Sequence, residues 1–108
     1  IFIMMKYVIS EDRIIELIGT LIGQFYPNFS DEKSDGGTFS GGDDTFIEYY
    51  DPEDPNLIFA RYYIWKEQLH LNPNLFVTLE NYFGENAIYV LNWFNQEFDK
   101  DATSLHHI

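Results

Sequence analysis

Two segments rich in β-branched and aromatic residues, 46–50 and 57–66, flank the run Asp51-Pro52-Glu53-Asp54-Pro55-Asn56. Two such segments on either side of a turn marked by prolines and Asn predict an antiparallel hairpin. Setting Tyr50 opposite Leu57 sorts the side chains onto two faces. One collects Ile47, Tyr49, Ile58, Ala60, Tyr62 and Ile64, without a charge. The other collects Phe46, Glu48, Tyr50, Leu57, Phe59, Arg61, Tyr63 and Trp65, an aromatic face with charges set into it. The first is the expected core. Residues 67–72 alternate again, Leu69 and Leu71 against Gln68, His70 and Asn72, so the expectation is a hairpin or a three-stranded sheet.

Such a sheet needs a helical layer to cover its apolar face. Ile14, Leu17, Ile18, Leu21, Ile22 and Phe25 follow helical spacing between an N-cap at Ser10 and a stop at Pro27, with Glu11 and Asp12 in the first turn, where the helix dipole favours anions. Gly19 and Gly23 lie inside this helix, at the border of the stripe. They read either as close packing on the protein's own sheet or as a smooth groove for a partner backbone. A second helix is expected from Pro73 to a cap at Gly84, with Leu75, Phe76, Leu79, Tyr82 and Phe83 inward. A third is expected from near Glu85, packing Ala87, Ile88, Leu91, Phe94 and Phe98, with a fraying tail from Asp99. An extended lead-in over residues 2–9 completes the pattern. The fold class is α+β in a single domain, residues 1–108.

Nine of the eighteen acidic residues (Asp31, Glu32, Asp35, Asp43, Asp44, Glu48, Asp51, Glu53, Asp54) fall within a 24-residue stretch opposed by Lys33 alone, in a chain of net charge −12. Such a field repels nucleic acid and attracts basic surfaces. Residues 30–45 also carry Gly36-Gly37 and Gly41-Gly42 with Phe39 as their one apolar side chain, a composition that predicts a mobile loop. The basic residues Lys6, Arg13, Lys33, Arg61, Lys66 and Lys100 are scattered and form no phosphate-binding patch.

The chain has no cysteine, which excludes a disulfide framework, a thiolate zinc site and a cysteine nucleophile, and is compatible with a reducing compartment. Its longest apolar run, residues 1–5, is far short of the roughly 20 residues of a membrane span. It opens on Ile1, with Met4 and Met5 as candidate starts, so the first residues read as lying upstream of the start. His70 reads as a solvent-facing strand residue, and the adjacent His106 and His107 as loose tail residues without a preorganised metal site. Residues 31–36 place Asp at the first and fifth positions of a calcium loop, but Lys33 occupies the third ligand position and Gly42 stands where the bidentate Glu belongs. No phosphate loop, dinucleotide fingerprint or serine elbow is present. No cofactor is expected, and no catalytic residue stands out.

The opening Met5-Lys6-Tyr7-Val8-Ile9-Ser10-Glu11, leading into an amphipathic helix, resembles the start of small proteins of large tailed bacteriophages. In those proteins a strand pair and an aromatic C-terminal helix follow, roles that residues 47–50, 57–65 and 91–98 fill here. The resemblance implies a viral accessory protein or virion component, located in the host cytoplasm or the particle, and brings no catalytic residues.

The expected function is therefore non-enzymatic protein binding, as a virion component or as an acidic inhibitor of a basic host protein. Direct contact with nucleic acid or membrane is not expected. The expected contact residues are Asp43, Asp44, Asp51, Glu53 and Asp54 with Phe59, Arg61, Tyr63 and Trp65. The alternative is a small-ligand binder or enzyme using the aromatic face as a pocket, with a nucleotide stacked on the rings and one phosphate on Arg61.

Overall fold

The computed structural model describes residues 10–29 and 35–108. The lead-in expected over residues 2–9 lies outside them, as do residues 30–34 of the expected loop.

Helix α1 (Glu11–Phe25) starts where the Ser10 hydroxyl accepts a hydrogen bond from the Arg13 amide at 3.3 Å. It stops ahead of Pro27, the Tyr26 amide donating back to the Ile22 carbonyl at 2.7 Å. Ile14, Ile18, Leu21 and Ile22 are buried. Phe25, counted with that stripe from its spacing, is instead 56% exposed, and Phe29 from the following turn enters the core in full.

The sheet has five strands in sequence order: β1 (Asp35–Phe39), β2 (Phe46–Asp51), β3 (Asp54–Tyr63), β4 (Gln68–Leu71) and β5 (Ser104–His107). The first four pair antiparallel, and β5 lies parallel to β4. The fold is α+β, as expected, and β2, β3 and β4 form the expected meander. Two strands are additional. Residues 35–39, expected within a mobile loop, pair in register with β2, and a 3-10 turn (Gly42–Asp44) follows. Backbone ladders need no side chains, so a glycine-rich segment forms an edge strand that composition does not announce. The tail, expected to fray, is also built in. Asn95 holds Ala102 through both its amide nitrogen, at 3.0 Å to the carbonyl, and its carbonyl oxygen, at 2.8 Å from the amide. From there β5 returns to the sheet.

The β2–β3 register differs from the expected one by two residues: Phe46 faces Tyr63, Ile47 faces Tyr62, Glu48 faces Arg61 and Tyr49 faces Ala60. A slip of two leaves every side chain on its original face. Ile47, Tyr49, Ala60 and Tyr62 therefore do point to the core, joined by Leu69, Leu71 and Leu105 of the neighbouring strands. Alternation breaks at irregularities after Tyr49 and Tyr50. A bulge raises the local twist and re-aims side chains, and here Phe59 and Ala60 are buried in succession.

Helix α2 (Pro73–Phe83) is capped by Asn72, whose side chain accepts from the Asn74 and Leu75 amides at 2.9 and 3.4 Å. Leu75 and Leu79 are its buried residues, and Tyr82 is 65% exposed rather than inward. Gly84 ends the helix at φ 57, a left-handed conformation that favours glycine. The expected third helix is in two pieces, a 3-10 stretch (Gly84–Tyr89) and α3 (Val90–Phe98). Ile88 is exposed, while Val90 and Trp93 join Ala87, Leu91 and Phe94 in the core.

Aromatic rings dominate that core. Phe29 lies within ring contact of Phe59 (4.9 Å), Trp93 (5.2 Å), Phe98 (5.5 Å) and Tyr49 (6.5 Å). Gly19 of α1 meets Trp93 of α3: a Cβ there would come within 3.0 Å of the indole. Close packing is thus the reason for Gly19, against a neighbouring helix rather than the sheet. A Cβ on Gly23 would touch nothing within 4 Å. Gly23→Ala is therefore expected to stabilise the protein by about 0.5–1 kcal/mol through helix propensity. In Gly19→Ala the same gain is outweighed by overpacking, which costs about 1–3 kcal/mol. Urea denaturation of the two variants checks the opposite signs, and a gain at both positions would mean that Trp93 yields freely.

Candidate functional site

With the helices on one side of the sheet, the other side is covered by no element among the described residues. Its side chains come from the strand positions that alternate with the core set: Phe39, Phe46, Glu48, Arg61, Tyr63, Gln68, His70, Ser104 and His106. Each of the five strands contributes one ring to a row that crosses the whole sheet. Phe39 stacks on Phe46 at 5.2 Å, Phe46 meets Tyr63 at 5.2 Å, Tyr63 meets His70 at 4.5 Å, and His70 stacks on His106 at 4.7 Å. Phe39 is 48% exposed and the other four rings are half-buried.

Arg61 runs beside this row. Its Nε donates to Glu48 Oε2 at 3.0 Å across the β2–β3 pair, and its guanidinium carbon lies 5.3 Å from the Phe46 ring centroid. Direct pairing of Glu48 with Arg61 places the two charges side by side, and the ring beneath adds a cation–π contact. Arg61 is consequently a held, partly buried group rather than a free phosphate contact.

The histidine pair is the other polar feature. His70 Nε2 lies 3.1 Å from Gln68 Oε1, and His106 Nε2 lies 3.0 Å from Ser104 Oγ. Partial burial lowers the His70 pKa from its ordinary 6.5, and the neighbouring His106, Arg61 and Lys66 lower it further, against an opposing contribution from the His107 backbone. Two protons on rings 4.7 Å apart would repel by roughly 1–4 kcal/mol, between the dielectric of water and that of a protein surface.

The residues singled out in the sequence do not all converge on this face. Arg61 and Tyr63 lie within it. Trp65 stands in the β3–β4 turn beyond the end of β3 and is 70% exposed. Phe59, expected as a contact residue, is 1% exposed and stacked on Phe29, so it belongs to the core.

The acidic block, continuous in sequence, is divided in space. Asp43 and Asp44 lie at one end of the hairpin, where Lys66 Nζ donates to Asp44 Oδ1 at 2.6 Å. Asp51, Glu53 and Asp54 lie at the other, about 20 Å away along β2 at roughly 3.3 Å per residue. Two of these carboxylates brace the fold. Asn28 Nδ2 donates to Asp51 Oδ1 at 2.9 Å and to Glu53 Oε2 at 2.8 Å, tying the end of α1 to the hairpin tip.

Of the row, Tyr63 alone is among the expected contact residues: Phe46 is placed on the aromatic face by the sequence but not selected, and Phe39, His70 and His106 are not placed there at all. Phe39 is masked by its glycine-rich surroundings, and the two histidines meet only because β5 returns beside β4.

A shallow groove of about 450 Å³ lies elsewhere, between α1 and α3, with Gly19, Gly23 and Trp93 in its lining and Glu16 and Glu97 at its sides. The aromatic face therefore does not line that groove. Among the described residues, no three His, Cys, Asp or Glu side chains converge as metal ligands, and no helix is long and apolar enough to cross a membrane. Compared with known proteins, the chain matches no family model, no curated protein and no solved structure.

Proposed function

We propose that this protein is a non-enzymatic binding module whose open sheet face seats a protein partner bearing a basic surface. The observation that carries the reading is the row of five rings, one from every strand, left uncovered among the described residues. Large aromatics at the centre of a contact supply much of its binding energy. Charge selects the partner: Asp43 and Asp44 at one end of the hairpin and Asp51, Glu53 and Asp54 at the other frame the face, in a chain of net charge −12. A nucleotide is the weaker candidate, since Arg61, its one phosphate contact, is already bound to Glu48.

The lead from Met5 to Glu11 supports a place among the small proteins of tailed phages. Two roles then fit an acidic, aromatic surface: a component of the particle, or an inhibitor that occupies a nucleic-acid-binding surface of a host protein.

The test is capture from bacterial lysate at low and high salt, followed by rate measurements with the captured protein. Tyr63→Ala is expected to speed dissociation about thirtyfold, the effect of a hot-spot residue worth about 2 kcal/mol. Replacing Asp43, Asp44, Asp51, Glu53 and Asp54 by Asn or Gln is expected to slow association and flatten its salt dependence, because rim charges act on encounter. Circular dichroism checks that each variant folds. Unchanged rates in both variants would sink the proposal; unchanged rates in the neutralised variant alone would leave the rings as the site and the charge as a solubility device.

A further inference from the structure

Strand β5 is short, and it carries one member of the histidine pair. Its register sets Gln68 beside Ser104, Leu69 beside Leu105, His70 beside His106 and Leu71 beside His107. Leu105 faces the core and is only half-buried. The strand is tethered at its start, where the Thr103 amide donates to the Glu67 carbonyl at 2.7 Å and Asn95 holds Ala102. At its far end the Ile108 amide donates to the Leu71 carbonyl at 2.8 Å. Between these points, the polar side of the ladder is closed by two imidazoles stacked at 4.7 Å with planes 17° apart.

The charged groups around that pair are cations, and the His107 backbone alone favours a charged His70. From β3 come the Arg61 guanidinium and the Tyr63 ring, which lies 4.5 Å from His70. From the β3–β4 turn comes Lys66, from β4 the Gln68 amide, and from β5 the Ser104 hydroxyl. His107 points to the opposite side, its ring against Phe76 of α2. Among the described residues no carboxylate pairs with either imidazole; Glu48 lies in the same cross-strand row but beyond Arg61, which binds it. Lys66 is likewise bound to Asp44, so each carboxylate near the pair is already held by a cation, and a second positive charge on the pair finds no carboxylate within pairing distance.

We propose that the stacked His70–His106 pair is a proton-operated latch: on acidification it charges, and β5 lifts away from β4 while Ala102 stays anchored. Lifting separates the rings and exposes them to water, which restores an ordinary affinity for protons. Docked His70 has a lowered pKa, so the docked form binds fewer protons than the lifted form below about pH 6.5, and docking weakens as pH falls through that range until docked His70 itself takes up a proton. The latch is a property of the protein alone and does not depend on any partner.

The experiment follows the backbone amides of residues 104–107 in the isolated protein from about pH 7.5 to about pH 5 by heteronuclear NOE and by hydrogen exchange, normalised for the intrinsic pH dependence of exchange. The opening constant of β5 is expected to rise below pH 6.5, by up to about tenfold per pH unit for one proton taken up on opening, while the amides of α1 and of the β2–β3 ladder do not respond. His106→Phe keeps a ring on His70 and removes the second charge, so the pH response of its β5 should be weaker than in the wild type, and His70→Gln, which removes the partly buried imidazole, should abolish it. Where either variant fails to fold, the other carries the test. A wild-type β5 whose protection ignores pH, or a folded His70→Gln or His106→Phe variant with the full wild-type response, would overturn the latch.

Discussion

Phe29→Ala is expected to cost about 3–5 kcal/mol of folding stability, the range for deleting a buried aromatic ring. Phe29 has no exposed surface, and its ring touches those of Phe59, Trp93, Phe98 and Tyr49. These neighbours belong to β3, α3 and β2, so the one side chain joins the hairpin to the helical layer. Large planar rings cannot flow into the space it would leave, and their positions are coupled: Trp93 is already pressed against Gly19. Urea denaturation followed by circular dichroism measures the loss. A cost below about 1 kcal/mol would mean that Phe29 does not sit at this junction.

Leu21→Ala should cost about 2–5 kcal/mol, whereas Thr20→Ala should be nearly silent. The two residues are adjacent on α1 and differ in facing. Leu21 is 7% exposed and packs in the core, while Thr20 lies at the surface, its hydroxyl donating to the Glu16 carbonyl at 3.0 Å. Ala is also the better helix former, so Thr20→Ala loses little. Equal effects at the two positions would contradict the facing of the helix.

What the sequence discloses and what it conceals follows from the range of the interactions concerned. The burial of Ile14, Ile18, Leu21 and Ile22 is legible because a helix writes its facing into a repeat of three and four residues. The cap at Ser10 is legible for the same reason, bonding to an amide three positions along, whereas Asn72 reads as the end of a strand and its cap emerges only in the structure. The hairpin faces survive an error of two residues in register, since facing depends on parity alone; the individual pairs do not survive it.

Phe59 is misplaced because alternation presumes a regular strand and the bulge beyond Tyr49 breaks it. Strand β1 is hidden because its ladder runs through a glycine-rich backbone that carries no hydrophobic pattern. The His70–His106 contact is hidden most deeply, since no local rule connects residue 70 with residue 106. The candidate face is therefore half legible. Arg61 and Tyr63 belong to a recognisable strand, whereas Phe39, His70 and His106 reach the face only through pairings that the sequence does not display.

The parallel pairing of β5 also sets an order in time. Antiparallel neighbours close through short turns, and β1 to β4 do so one after another. The ladder between β4 and β5 closes instead around residues 72–103, which include α2, the 3-10 stretch and α3. Chain entropy makes a closure of that length costly until intervening contacts have formed. During folding the meander can collapse first, α1 and α3 can then clasp the rings around Phe29, and β5 adds last to an edge already built. In the language of transition states, β5 is expected to be a late element, whose interactions act chiefly on the rate of unfolding and scarcely on the rate of folding. A strand that joins last can also leave first, and the rest of the fold need not open for it to go.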